Sequence, residues 1–418
     1  MKPFINQCVL IIYMMLKNEI TSVAKDQRNT INNLDLGVTR DDLDGIKINV
    51  SFATVISGIR RCGKSIFLHQ IKRKLNNWAY FNFEDTRLSN FKIDDFEKLD
   101  LSLTEVYGKI DVYLFDEIQN IDKWEIYIRQ LLDKKKKVIL TGSNASMLSK
   151  ELGTRLTGRY IRKEMFPFSF NEYLKLNKDK PSLKSIESYL ERGGFPEFLK
   201  LKNEDQLQEL LINIIDNDIV VRHNLKNSKI VKNLAIYLLS NIGKEYSYNN
   251  LKKLFNLGSV NTLISFISYF EDCYLLFSIN RFDYSIKKQI ISPKKIYAID
   301  NGLAKANSLS FSKDLGRMLE NMVFINLRKK HENIFYYKDD KFECDFIIKE
   351  KESITKAIQV CLELNSENKK REINGLIKAL SVFNLKEGII ITKDTEDIVL
   401  QDGYNIKIVP IWKWLDNN

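Results

Sequence analysis

Gly58-Ile59-Arg60-Arg61-Cys62-Gly63-Lys64-Ser65 reads as GxxxxGK followed by a hydroxyl residue. An apolar run, residues 53–57 (ATVIS), precedes it, and residues 65–75 follow with Phe67, Leu68, Ile71 and Leu75 on one helical face. Strand, glycine loop and helix in that order make a phosphate cradle. The glycines let the backbone curl until its N–H groups converge on phosphate oxygens, and the helix N-terminus adds partial positive charge. Lys64 is placed to reach β- and γ-phosphates, and the Ser65 hydroxyl to hold Mg²⁺. The expected nucleotide-binding stretch runs from Gly58 through Ser65 to Ile66.

Working outward, residues 112–115 (VYLF) form a second apolar strand that ends in Asp116-Glu117. In register after a phosphate loop, Asp116 is expected to hold Mg²⁺ through its water shell, and Glu117 to orient or deprotonate the attacking water. The pair implies nucleotide hydrolysis rather than binding alone. Residues 138–141 (VILT) end in Gly142-Ser143-Asn144, where either Ser143 or Asn144 could sense the γ-phosphate or form an Asx-type turn. Arg155 and Arg159 follow (TRLTGRY). An arginine here can neutralise transition-state charge in its own chain or a neighbour's, or stay a solvated surface charge. Residues 121–129 predict an amphipathic helix with Trp124 packed, and Lys134 to Lys137 a solvated loop. The runs at 53–57, 79–83, 112–115 and 138–141 are apolar almost throughout, as a parallel sheet covered on both faces demands.

The chain has 418 residues, enough for two to four domains. Hydrophobic residues at 44%, aromatic at 11% and charged at 28% exclude a disordered, collagen-like or polytopic membrane protein. Lys plus Arg number 65 against 54 Asp plus Glu, a net charge of +11 that suits an anionic partner such as nucleic acid. Five cysteines without a CxxC pair and three scattered histidines without HExxH argue against a disulfide framework and against zinc. The apolar run at residues 8–16 (CVLIIYMML) is too short to span a bilayer and lacks the features of a signal peptide. A soluble cytoplasmic protein is expected.

Residues 166–225 read as helices broken at Lys180-Pro181 and Gly193-Gly194. Residues 250–255, a break at 256–258 and residues 259–269 form a helix-turn-helix pattern. Ser259, Asn261 and Thr262 would face a DNA groove if the second helix entered one, and are equally ordinary cap residues. A helix at 315–330 and strands at 334–337, 344–348, 357–360 and 388–391 make a second α/β unit.

GIRRCGKS, LFDEIQN, LTGSNASML, LTGRY, FPFSFNEYL and ERGGFPEFL occur in that order. Together they resemble prokaryotic AAA-type ATPases (AAA+ or STAND-like) that carry a C-terminal domain of unknown function related to restriction endonucleases. The resemblance implies an α/β P-loop NTPase fold with a parallel sheet, then a helical lid, a winged helix and a restriction-endonuclease-like α/β domain. The divisions expected are an N-terminal segment 1–40, the ATPase core 41–165, the lid 166–227, the winged helix 228–300 and the nuclease-like domain 301–418. ATP and Mg²⁺ are the implied cofactors. Glu117, Lys64 and Arg159 are the expected catalytic residues, and Ser65 and Asp116 the metal-side residues. DNA, a protein or further copies of the chain are the expected partners, and no membrane.

In the last domain Glu320, Asp345 and Gln359 match the metal-side positions of the resemblance, but Cys361 stands where it implies a lysine. A thiol cannot supply fixed positive charge, and an amide is a poorer Mg²⁺ ligand than a carboxylate. Glu363 or a lysine from elsewhere, such as Lys356, could compensate, though nothing in the sequence shows it. The reading is therefore a nucleotide-driven switch whose C-terminal domain binds or docks without cleaving. An ATP-licensed nuclease and a non-catalytic ATP-bound regulator are the alternatives.

Overall fold

The computed structural model describes residues 15–143, 156, 158–309 and 314–416. Asn144, Arg155 and most of the apolar run at residues 8–16 lie outside them.

Five parallel strands form the first sheet: β1 (Ala53–Gly58), β2 (Trp78–Asn82), β3 (Val112–Asp116), β4 (Lys137–Gly142) and β5 (Tyr160–Met165), in spatial order β2-β3-β4-β1-β5. Successive side chains point to opposite faces, so each buried strand feeds two cores. Ile56, Leu114 and Ile139 join Phe67, Leu68 and Ile71 of the helix Lys64–Lys72 on one face. Val55, Phe115 and Leu140 meet Ile20, Leu99, Trp124 and Ile128 on the other. That second face is covered by the helices Lys17–Asn32, Phe96–Tyr107 and Trp124–Asp133. Part of the expected N-terminal segment is thus built into the core, with Thr21 Oγ1 donating to Ser102 Oγ at 2.9 Å. The expected strands are found with shifts of a residue or so. β5 was not anticipated, because YIRKEM is an edge strand whose half-exposed residues carry no apolar run.

Helices Phe170–Asn177, Leu183–Arg192, Pro196–Leu201 and Asp205–Asn213 follow, then a π-helical segment Ile214–Val221 and the helix Ser228–Leu239. The helix-turn-helix pattern becomes the helices Tyr248–Leu254 and Val260–Asp272. Ser259 caps the second by accepting from Asn261 N at 3.1 Å.

A second sheet of nine strands holds β6 (Glu245–Tyr246), β7 (Leu276–Arg281), β8 (Lys294–Ala298), β9 (Ile334–Lys338), β10 (Glu343–Glu350), β11 (Ser353–Val360), β12 (Glu387–Thr392), β13 (Asp397–Gln401) and β14 (Tyr404–Pro410). Their order is β13-β14-β12-β11-β10-β9-β7-β8-β6, with β7 parallel to β9. The division expected at residue 300 therefore falls inside one continuous sheet. One apolar cluster runs from Ile56 and Phe67 through Phe168, Leu210, Leu238, Phe270 and Tyr297 to Phe346 and Trp414, so the two sheets share a core.

The Gly193-Gly194 break has a packing reason. The Asp300 carboxylate accepts from Gly194 N at 2.6 Å and from Leu303 N at 2.9 Å. A Cβ on Gly193 would sit 2.1 Å from Asp300 Oδ1, and one on Gly194 2.3 Å from the Phe168 carbonyl oxygen. Among the described residues no helix is long and apolar enough to cross a membrane, and Cys62, Cys273, Cys344 and Cys361 are free and buried.

Candidate functional site

The loop Gly58–Ser65 leaves the C-terminal end of β1, where β3 and β4 also end. Gly63 adopts φ +98°, and Arg61 is also left-handed at φ +63°, a conformation that costs a non-glycine residue about 1–2 kcal/mol. Gly58 allows a close approach, since a Cβ there would lie 2.1 Å from the Met165 carbonyl oxygen.

The Lys64 ammonium is buried at the base of the loop, 3.4 Å from Glu117 Oε1 and donating to the Ile59 carbonyl at 3.3 Å. Burial works against its charge, but Glu117, then Cys62 and Asp116, hold its pKa above the usual value. Glu117 stands just past β3 with φ +50°. Burial pushes its carboxyl up, yet the Lys64 ammonium, the Gln119 hydrogen bond and Arg60 together leave it below the ordinary range. Gln119 Nε2 donates to Glu117 Oε2, and Glu117 N donates to Thr141 Oγ1 at 2.9 Å.

Asp116 is buried, and burial followed by the neighbouring Glu117 charge raises its pKa. Thr141 Oγ1 donates to its Oδ1 and Tyr80 OH donates to its Oδ2 at 3.0 Å, while the nearby Ser65 hydroxyl works against the rise. A hydroxyl and a carboxylate side by side beneath a phosphate loop fit Mg²⁺, which takes one or two carboxylates and completes its shell with phosphates and water. Lys64, Ser65, Asp116 and Glu117 are thus brought together. Ser143 is buried just past the tip of β4, the neighbouring strand.

Arg159 is not brought to the loop. It precedes β5, and β5 runs parallel to β1 toward the loop, which puts Arg159 at the far end of the sheet, roughly 17 Å away along the strands. There its Nη1 donates to Asp133 Oδ1 at 2.7 Å. An Arg159 acting on its own loop is ruled out by this placement.

Arg40 is a participant that the sequence reading missed. Its guanidinium donates to the carbonyls of Cys62 at 2.9 Å and Phe166 at 2.7 Å, and to Glu172 Oε1 at 2.8 Å. It clamps the loop to the segment after β5. Nothing in local spacing marks it, although its partner Glu172 lies within the quoted FPFSFNEYL.

In the second sheet Glu320, Asp345 and Gln359 do converge, and so does a residue assigned to another domain. Lys295 of β8 is buried, with its ammonium 3.1 Å from Glu320 Oε1, 2.8 Å from Glu343 Oε1 and 2.9 Å from Asp345 Oδ1. Tyr297 OH donates to Glu320 Oε1 at 2.7 Å. Gln359 Oε1 accepts from Asp345 N at 3.2 Å and its Nε2 donates to Glu372 Oε2 at 2.7 Å. The lysine from elsewhere is thus Lys295, and neither Glu363 nor Lys356 joins the cluster. Glu363 faces solvent near Lys393, and Lys356 is exposed, paired with Ile348 far along β11. With the amide of Gln359 in place of a carboxylate and spent on Asp345 N and Glu372, these residues as placed do not fit a divalent cation. A cavity of about 450 Å³ opens beside them, lined by Lys338, Lys341 and Arg371 as well as the acids.

Comparison with known proteins agrees with the first sheet. Residues 51–174 match the model of an AAA domain, residues 183–314 a domain of unknown function (DUF8612), and residues 315–414 another (DUF4143). An uncharacterised protein of Methanocaldococcus jannaschii is 38% identical over 402 residues, covering 88% of this chain and 89% of its own length. One from Haemophilus influenzae is 30% identical over 393 residues, covering 88% of this chain and 95% of its own. AMPPCP-bound DnaA from Aquifex aeolicus superposes over 60% of this chain and 88% of its own at 15% identity, with a TM-score of 0.28, too loose to carry weight. With relatives this similar over nearly nine-tenths of its length, the chain belongs to the family of AAA-domain proteins that these archaeal and bacterial sequences represent.

Proposed function

We propose that the protein is a Mg²⁺-dependent ATPase that works as a nucleotide-driven switch. The observation that carries this reading is the convergence of Lys64, Ser65, Asp116 and Glu117 at the ends of β1 and β3. Lys64 exchanges the Glu117 carboxylate for β- and γ-phosphate oxygens. Glu117, freed of that ammonium, becomes a stronger base and takes a proton from the attacking water. Ser65 and Asp116 would hold Mg²⁺, which would supply positive charge against the charge developing on the phosphates. Ser143 reads the phosphate end from β4. Arg159, turned away from its own loop, serves the loop of a second copy, so the active form is an oligomer.

The helices Tyr248–Leu254 and Val260–Asp272 with the β7–β8 hairpin act as a winged helix, on which Asn261 and Thr262 are exposed. The C-terminal sheet serves binding or docking rather than cleavage, a reading supported by the Gln359 amide, which stands where a carboxylate would hold the metal and is spent on Asp345 N and Glu372.

Phosphate release from ATP with Mg²⁺, with and without duplex DNA, tests this. Lys64→Ala and Glu117→Gln are each expected to lower turnover at least about a hundredfold. Turnover raised by DNA identifies nucleic acid as the partner, and indifference to DNA points to a protein. Absence of turnover in the wild type, with ATP binding that needs Lys64, would replace hydrolysis by a non-catalytic switch.

A further inference from the structure

Arg60 belongs to the phosphate loop, yet the chemistry above gives its side chain no task. Its Nε and Nη2 donate to the two carboxylate oxygens of Asp218 at 3.1 and 3.0 Å, and its Nη1 to Glu84 Oε1 at 3.1 Å. Asp218 is 3% exposed, so this is a buried carboxylate whose only ion-pair partner among the described residues is a loop arginine. It sits in the eight-residue π-helical segment Ile214–Val221. Such helices are rare, are mostly single turns, and are frequent at functional sites.

The position of the guanidinium is equally specific. Glu84 follows β2, and Glu117 lies near enough to attract Arg60. Arg60 therefore stands on the side of the loop where the proposed base lies, and Arg159 does not. One guanidinium is shared by three carboxylates, and none of them matches the anionic charge of a nucleoside triphosphate. The residue on the other side of Gly58 is held by the same half of the molecule, since Ser57 Oγ and Tyr274 OH are 2.6 Å apart. Beyond the π-helical segment, the His223 ring stacks on Tyr269 of the helix Val260–Asp272, with centroids 3.7 Å apart and planes 13° from parallel.

Resting on the ATP reading, we propose that Arg60 is a γ-phosphate ligand supplied within the chain and parked on Asp218. Its transfer from Asp218 to the triphosphate frees the π-helical segment, which reports triphosphate occupancy to the helix-turn-helix. A diphosphate leaves Arg60 on Asp218. Arg60 thereby sets the preference for ATP over ADP, and Asp218 is the positioning residue that competes with the nucleotide.

The test is equilibrium binding of AMPPNP and of ADP, each with Mg²⁺, to the full chain by calorimetry. Arg60→Ala is expected to weaken AMPPNP about tenfold or more while ADP stays within about threefold. Asp218→Asn is expected to tighten AMPPNP and leave ADP unchanged. Amide exchange over residues 214–221 is expected to quicken with AMPPNP but not ADP in the wild type, and with neither in Arg60→Ala. Equal effects of Arg60→Ala on both nucleotides, or exchange that ignores the third phosphate, overturns the proposal. Arg60 is partly exposed, so its alanine variant and the exchange data decide the matter even if Asp218→Asn fails to fold. A wild type that binds neither nucleotide brings down the ATP reading itself. Wild-type binding with an indifferent Arg60→Ala brings down only the role of Arg60.

Discussion

Lys295 shows how one residue alters the reading of a site. The motif position holds Cys361, whose thiol hydrogen bonds the Glu363 carbonyl at 3.1 Å and whose pKa burial and Glu372 push up to about 11, so it carries no charge there. The positive charge comes instead from β8, and three carboxylates depend on it. Removing one member of a buried ionic cluster leaves uncompensated charge, at a cost of about 3–5 kcal/mol. Lys295→Ala is accordingly expected to lower unfolding free energy by that amount in urea titrations. A loss under about 1 kcal/mol would mean that the acids find another counterion, and Lys338, 3.2 Å from Glu343, is the nearest candidate. Cys361 was legible as a departure, but its replacement was not. Lys295 is separated from Asp345 by β9 and by the helix Leu315–Arg328, and only strand pairing joins them.

At the scale of elements, turns and caps were the most readable features. The expected breaks at Lys180-Pro181 and Gly193-Gly194 fall between helices, because proline and glycine act on their own backbone. Gly193 has φ +69° and ψ −158°, a region open essentially to glycine alone, and a Cβ would strike Asp300. Gly193→Ala is expected to cost about 2–4 kcal/mol. Gly45→Ala, where a Cβ meets nothing within 4 Å, should stay within about 1 kcal/mol. Comparable melting temperatures for the two variants would refute the packing account of the double glycine. Edge strands were the least readable elements. β5 lies at a sheet margin, where half-exposed side chains need not be apolar, and YIRKEM carries no apolar run.

At the scale of the whole molecule, the two sheets share one apolar cluster, and polar contacts cross between them: Tyr274 to Ser57, Arg328 to Glu164, Asp300 to Gly194. The strand that feeds the phosphate loop is thus in contact with the C-terminal half. The proposed use of Arg159 in a neighbouring copy also belongs to this scale. Arg159→Ala and Lys64→Ala are each expected to be inactive alone, whereas a mixture recovers part of the phosphate release, since some interfaces pair an intact loop with an intact arginine. No recovery, with both variants folded and assembled, would assign Arg159 to its contact with Asp133 alone. The sequence by itself determined the phosphate loop, the Asp116-Glu117 pair, the covered parallel sheet and the helix-turn-helix pattern. Each rests on interactions within a few residues, on backbone conformation or on the periodicity of one element. Tertiary structure alone decided that Arg159 faces away from its loop, that Arg40 and Asp218 grip the loop, and that Lys295 completes the acidic cluster. Those partners meet across separations of 22 to 158 residues, and which of them meet depends on strand order and sheet packing, which no local pattern encodes.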